Sequence, residues 1–382
     1  MDFNLTSEQT MLADSLHRYL ARSYALSARR AAMAEPRGFS ADHWQAYADM
    51  GVLALNVPEA HGGLATSVGN PLDTMVVMKA FGRALVVEPF WMTAVVAANA
   101  IALSDNEALK ADLLPSIADG SLVISLAALE HGGRYDFNHV VTAASPSAGG
   151  WRLAGKKAVV LHGAQADKLI VSARTHGGSA AADGIALFVV ERDAAGVRAL
   201  DSATVDGFRS AEITLDGVDV PASALLADGA RGAAILERTS ELASAALVAE
   251  ALGIVEALTE TTNEYLKTRR QFGVPIGKFQ ALQHRVADML VCVEQVRAMA
   301  ALAATKVSLD DARARARAIA AARAMIAEAG RFVMKNAVQL HGGMGVTDEL
   351  IVSHHVKRLT MLNRTYGDYE HHLARYAALM DA

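Results

Sequence analysis

Two stretches of the chain carry residue types at spacings that suit the binding of an anionic ligand. The first is Tyr265-Leu266-Lys267-Thr268-Arg269-Arg270-Gln271-Phe272-Gly273, continued by Pro275-Ile276-Gly277 and Phe279-Gln280. It sets two arginines at the end of a long helical pattern, then a glycine turn, then a glutamine on the next helix. Cations at a helix C-terminus answer the helix dipole on their own, which accounts for Arg269 and Arg270 but not for the whole string. The second is Gln339-Leu340-His341-Gly342-Gly343-Met344-Gly345. A single glycine after a helix is an ordinary C-cap. Three in four positions let the backbone approach a ligand closely and turn amide N–H groups toward negative charge. The string follows a helix, so it is not the G-x-G-x-x-G fingerprint, which must follow a strand.

Other chemistries find less support. The pairs His354-His355 and His371-His372 are adjacent, so their rings diverge on a helix and do not suit a metal. Arg313, Arg315, Arg317 and Arg323 spread around one helical pattern and read as a solvated face. There is no G-x-S-x-G elbow and no P-loop. Cys292, the one cysteine, excludes an intrachain disulfide and a cysteine-built metal cluster and fits a reducing compartment.

The elements that must position these residues fall into three textures. With 382 residues the chain has room for about two or three domains, and 52 % hydrophobic against 20 % charged residues marks it as globular. Its net charge of −5 gives no basic footprint for nucleic acid. The first texture, residues 1–122, reads as helical. Thr6 and Gln9 have capping-box spacing, Leu12, Leu16, Tyr19 and Leu20 share one helical face, and 106–118 reads as a short helix. The second, 123–229, has β-type runs at Val123–Leu126, His139–Ala143, Lys157–Leu161, Lys168–Ala173, Ile185–Val190 and Glu212–Leu215, with turn clusters between them. This pattern predicts a small antiparallel barrel or sandwich rather than a Rossmann sheet. The third, 230–382, is rich in Ala, Leu, Met and Arg. It predicts helices over 232–268, 280–307 and 310–340 with shorter ones after 347, a four-helix bundle. The fold class expected is therefore α+β and multidomain. The start MDFNLTSEQ lacks a signal-peptide pattern. The apolar run Met92–Leu103, read as the longest, is shorter than the ~20 residues that span a bilayer, so a cytoplasmic protein without membrane association is expected.

Taken together, R-x-Q-F-G-x-P-I-x-x-F-Q and, about sixty residues on, Q-L-H-G-G-M-G resemble the C-terminal domain of the acyl-CoA dehydrogenase family. The resemblance extends to Gly51–Gly63 and Ser210–Leu225, and so to nearly the whole chain. It implies the same order of helical domain, β-domain and four-helix bundle, with FAD as cofactor and an acyl-CoA as substrate. It also implies an electron-transfer flavoprotein-like acceptor and α,β-dehydrogenation, in which a glutamate takes the α-proton while the β-hydride passes to the flavin. In the family the flavin lies between two subunits. The half that holds the ADP tail would here be Arg269, Gln271, Phe272, Gln280, Gln339, His341, Gly342 and Gly343, with arginine for pyrophosphate charge and glycines for close approach.

The half around the flavin ring departs from the family. Where members show T-E-P-G-A-G-S-D, this chain has Leu129-Glu130-His131-Gly132-Gly133-Arg134-Tyr135-Asp136. Where they show W-[IS]-T on a later strand, it has Val159-Val160-Leu161. The catalytic glutamate of Y-E-G-T falls, without gaps, on Tyr366 in Thr365-Tyr366-Gly367-Asp368, and the alternative position on the first bundle helix falls on Ala243. Glu370, Glu250 and Asp368 are the nearest carboxylates. The asymmetry between a complete tail half and an altered ring half predicts one subunit of a dehydrogenase built from two different chains. The bacterial heterotetramers acting on bulky thioesters such as steroid side-chain intermediates are the branch it resembles. The alternatives are a homodimer or homotetramer with a relocated base, Glu370 or Glu250, and a non-catalytic acyl-CoA-binding scaffold.

Overall fold

The first helix begins where the sequence supplies its own cap. In the computed structural model, which describes residues 5–381, Gln9 N donates to Thr6 Oγ1 at 3.2 Å and Thr6 N donates to Gln9 Oε1 at 3.1 Å. This is the reciprocal capping box that the Thr-x-x-Gln spacing predicts. Helix α1 (Ser7–Ser23) follows, then α2 (Leu26–Ala34), α3 (Ala41–Asp49), α4 (Pro71–Ala84), a π-helix (Trp91–Ala97), α5 (Ala98–Ala102) and α6 (Glu107–Ala118). Eight strands come next: β1 (Ile124–Ala127), β2 (Ala143–Ser147), β3 (Gly150–Leu161), β4 (Lys168–Arg174), β5 (Ile185–Glu191), β6 (Val197–Ala203), β7 (Arg209–Pro221) and β8 (Leu225–Ala227). The chain ends in α7 (Gly232–Thr268), α8 (Gln280–Lys306), α9 (Ala312–His341), α10 (Ile351–Leu362) and α11 (Tyr369–Asp381). This is the expected order: N-terminal helices, a middle β-sheet and C-terminal helices.

By contact the chain groups into two units. The helical unit takes residues up to Arg30, Pro71–Val86 and the chain from Ser244 on. In it α4 and α7 meet backbone to backbone. A Cβ on Gly82 would stand 2.2 Å from Glu250 O, and one on Gly253 would stand 2.0 Å from Lys79 O, so only glycine permits this approach. Among the described residues, the helix long and apolar enough by composition to cross a bilayer is α7, not Met92–Leu103, and its apolar window is wholly buried as core. Arg323 also departs from the sequence reading. It is 2 % exposed, so it lies inside the helical unit and not on a solvated face with Arg313, Arg315 and Arg317.

The second unit takes Ala31–Asn70 and Val87–Ala243. Its sheet runs β6-β7-β3-β2-β4-β5-β8, with β1 added alongside β4. The pairs are antiparallel except β1–β4 and the single β2–β4 contact at Ala143 and Arg174. Strands β4 and β5 are buried along nearly their whole length. The outer strand β6 alternates half-buried and exposed residues, as a solvated edge does. Two expectations change here. Residues 139–142 are not a strand, because the Glu130 carboxylate accepts from Val141 N (2.6 Å) and Thr142 N (3.1 Å) in place of a neighbouring strand. The polar β6 carries too little apolar alternation to show in the sequence.

Candidate functional site

The two glycine-bearing strings meet at the ends of α7 and α9. The Tyr265 ring lies on the His341 ring with centroids 4.5 Å apart and planes tilted by 31°. Nδ1 of His341 donates to Ala337 O (2.8 Å), and its buried Nε2 has no hydrogen-bond partner among the described residues. Burial lowers the imidazole below its usual range, so the ring is neutral and Nε2 is an acceptor. His341 closes α9, and Gly342 follows at φ +60°. A Cβ on Gly342 or Gly343 would meet nothing within 4 Å, so both glycines border open space.

Past α7, Arg270 and Gln271 pair with Pro275 and Val274 in a two-residue hairpin. Its turn residues Phe272 and Gly273 both have positive φ, +53° and +80°. That is the sign pattern of a type I′ turn, which glycine and asparagine favour and phenylalanine does not. Phe272 is nevertheless there, 89 % exposed, its ring edge-on to Phe279 at 6.0 Å. A phenylalanine held at positive φ stores backbone strain in this turn. Arg269, Gln271, Gln280 and Gln339 are exposed beside these elements. The expected tail-binding residues therefore share one unit, and an exposed cation, open glycines and a free imidazole acceptor fit the dinucleotide end of FAD.

The position of the family's base is filled differently. Tyr366 is buried at φ +57°, and burial pushes its phenol well above the ordinary tyrosine value, so it stays protonated. Arg323 pins the surrounding loop by donating to the carbonyls of Leu362 (3.1 Å), Thr365 (2.6 Å) and Gly367 (3.1 Å). Its Nε also donates to His372 Nε2 at 3.3 Å. Burial, and then the Arg323 charge, push His372 down to about 2. The loop is locked around a neutral hydroxyl. At the alternative position, the Ala243 carbonyl accepts from Trp91 Nε1 (3.0 Å) and no carboxylate stands there.

Of the nearest carboxylates, Glu250 is spent on a buried pair with Arg358, 2.5 and 2.8 Å. Glu370 sits exposed in the first turn of α11, where it lines a cavity of about 310 Å³ with Arg331, Arg364, Asp368 and Tyr369. Asp368 caps α11 by accepting from His371 N (2.9 Å).

In the sheet unit, the segment matching the ring half lacks the hydroxyls and the tryptophan of the family pattern. Leu129 and Tyr135 stand where the family has small hydroxyls. Val159 is 64 % exposed at φ +52°, in the irregular stretch of β3 between Lys157 and Val160, and offers no aromatic face. Gly132 (φ +88°) and Asp136, whose Oδ1 accepts from Asn138 N, are turn residues. Glu130 is not. Lys157 Nζ, fully buried, donates to Glu130 Oε1 (2.5 Å) and to Ser172 Oγ (2.9 Å). Burial would raise the Glu130 carboxyl, but the Lys157 charge and the Thr142 and Val141 amides hold it below the usual range. Burial pushes Lys157 down to about 8 against Glu130's pull. The sequence signal for this pair is Lys156-Lys157 set beside Ala158-Val159-Val160.

Comparison with known proteins gives matches along most of the chain. Family models described as the N-terminal, middle and C-terminal domains of acyl-CoA dehydrogenase match residues 6–121, 125–218 and 230–380. The acyl-CoA dehydrogenase FadE12 of Mycobacterium tuberculosis is 30 % identical over 310 residues, covering 80 % of this chain and 79 % of its own. Among solved structures, a variant of the Tcur3481-Tcur3483 steroid ACAD superposes with a TM-score of 0.86 at 31 % identity, covering 98 % of each chain. The ChsE4-ChsE5 complex from Mycobacterium tuberculosis superposes with a TM-score of 0.88 at 27 % identity, covering 100 % of this chain and 99 % of that one.

Proposed function

Because the chain belongs to the acyl-CoA dehydrogenase family, whose members are FAD-dependent oxidoreductases acting on CH–CH bonds, we propose that it is one subunit of a hetero-oligomeric member. In this reading it grips the dinucleotide end of FAD, and a second, different subunit supplies the ring cavity and the base. The observation that carries the reading is the contrast between the open cradle at Phe272, His341, Gly342 and Gly343 and the locked loop at Tyr366. The cradle fits its task, whereas a buried, protonated phenol cannot take an α-proton at neutral pH.

When bound, the flavin supplies acceptance of the substrate's β-hydride. This chain's residues bind and orient. Arg269 offers a guanidinium to the pyrophosphate, and Gly342 and Gly343 admit close backbone approach. Phe272 covers apolar surface, and His341 Nε2 accepts a hydrogen bond. The segments 1–122, 123–229 and 230–382 serve as its domains. The paired names of two similar solved structures, one of them called a steroid ACAD, support a heteromer acting in the cytoplasm on a bulky acyl-CoA. Such an enzyme would pass electrons to an electron-transfer flavoprotein-like acceptor.

One observation favours a second reading. Glu370 is exposed at a cavity one turn past the family's base position, as a relocated base in a homo-oligomer would be. Glu370→Gln and Arg269→Ala in the active assembly separate the two. The heteromer reading expects turnover within about twofold for Glu370→Gln and loss of flavin for Arg269→Ala. A loss of turnover of order 10³ for Glu370→Gln, with flavin retained, would instead establish the relocated base.

A further inference from the structure

We propose that a cavity in the sheet unit, beside the π-helix, binds a compact neutral alcohol. The cavity measures about 300 Å³, space for roughly ten heavy atoms at a water molecule's share of liquid volume. Ala65, Val68, Ala102 and Leu103 form apolar walls, Asn56 and Asn99 supply amides, Thr66 and Ser67 add hydroxyls on the exposed side, and no charged residue lines it. With no cation in the lining, the cavity favours an uncharged occupant over a phosphate or carboxylate.

Asn99 defines the polar end. It is 1 % exposed, and its Nδ2 donates to Val95 O (2.7 Å), inside the π-helix, and to Asn56 Oδ1 (3.2 Å). No group among the described residues donates to its Oδ1. Asn99 lines the cavity, so this unpaired acceptor is open to a donor from a ligand or water. An oxygen that only accepts selects a ligand that donates, and an uncharged surround selects a hydroxyl over an ammonium. The seven-residue π-helix Trp91–Ala97 is the kind of local widening found at functional sites. The next helical segment, α5, carries both Asn99 and Ala102. A neutral apolar body with one hydroxyl is the chemistry that satisfies walls and acceptor together, either as a free alcohol or as the far end of a hydroxylated acyl group.

The probe is 2-decalol, with decalin as its counterpart lacking the hydroxyl, titrated by calorimetry against the full chain. Saturable one-site binding of 2-decalol is expected, with decalin at least tenfold weaker and Ala102→Phe or Ala65→Phe abolishing binding while thermal unfolding stays unchanged. A CoA thioester ending in the same hydroxydecalin ring then distinguishes the sources. Mutually exclusive binding assigns the cavity to the acyl group, and independent binding assigns it to a free alcohol. No 2-decalol binding up to its solubility, or binding that both filling variants leave intact, would overturn the proposal. Equal affinity for decalin would overturn the role of Asn99. None of these outcomes depends on flavin or turnover, so they stand apart from the proposed subunit role.

Discussion

Arg358 closes on both oxygens of Glu250 inside the helical unit, Nε to Oε1 at 2.5 Å and Nη2 to Oε2 at 2.8 Å, with each side chain 6 % exposed. A carboxylate held by two charge-assisted hydrogen bonds from a buried guanidinium serves the fold. Glu250→Ala strands the Arg358 charge and is expected to cost about 3–5 kcal/mol in urea unfolding. Turnover per folded assembly should stay within a few fold. A stable Glu250→Ala protein with turnover abolished would return Glu250 to the list of bases.

Lys157 and Glu130 make the corresponding pair in the sheet unit, and they predict a pH effect. Lys157 titrates at about 8 in the fold against 10.5 ordinarily. Between those values the unfolded chain binds more protons than the folded one, so this group makes stability rise with pH across that window. The urea midpoint, measured from pH 8 to 10, should climb in the natural protein relative to a Glu130→Gln/Lys157→Met double variant. Lys157→Met alone leaves a buried carboxylate without its cation and should cost about 3–5 kcal/mol, most of it recovered in the double variant.

At the acid end the sign is the same and the cause is a histidine. His355 is fully buried and donates through Nε2 to Arg83 O (3.0 Å). Burial, helped by the nearby Arg29 charge, pushes it down to about 4. The unfolded chain takes up this proton near pH 6.5 and the folded chain does not, so stability is lost as pH falls from 6.5 toward 4, by about 3 kcal/mol in all. Thermal unfolding across that range should show the loss. His355→Gln, which keeps a donor for Arg83 O but cannot titrate, should flatten it.

The parts legible in the sequence were those that local chemistry encodes. The Thr6–Gln9 box formed as spaced, and α7 occupies 232–268 as its periodicity predicts. The rest depended on distant partners. Glu130 takes the amides of 141 and 142 and so removes a strand that β-propensity favours. Arg323 reads as one more arginine on a basic helix until the carbonyls of 362, 365 and 367 surround it. For the site, motif spacing pointed to Arg269 and the glycines. It could not reveal that Phe272 is held at positive φ, or that Tyr366 is buried.

The strained hairpin supplies a prediction in which stability and binding move in opposite directions. Asparagine tolerates positive φ in a type I′ turn, so Phe272→Asn relieves backbone strain and should stabilise the isolated chain by up to about 1 kcal/mol. The same change removes the exposed ring and should lower flavin retention by the assembly at least tenfold, read by absorbance after gel filtration. Weaker retention without loss of stability would separate a binding role from a folding role.

The most direct measurement is native mass spectrometry of the flavin-loaded, turnover-competent enzyme. The subunit proposed here predicts an assembly containing two different polypeptides, this chain among them, with flavin lost when either is withheld. An active assembly composed of this chain alone, carrying one FAD per copy, would contradict it.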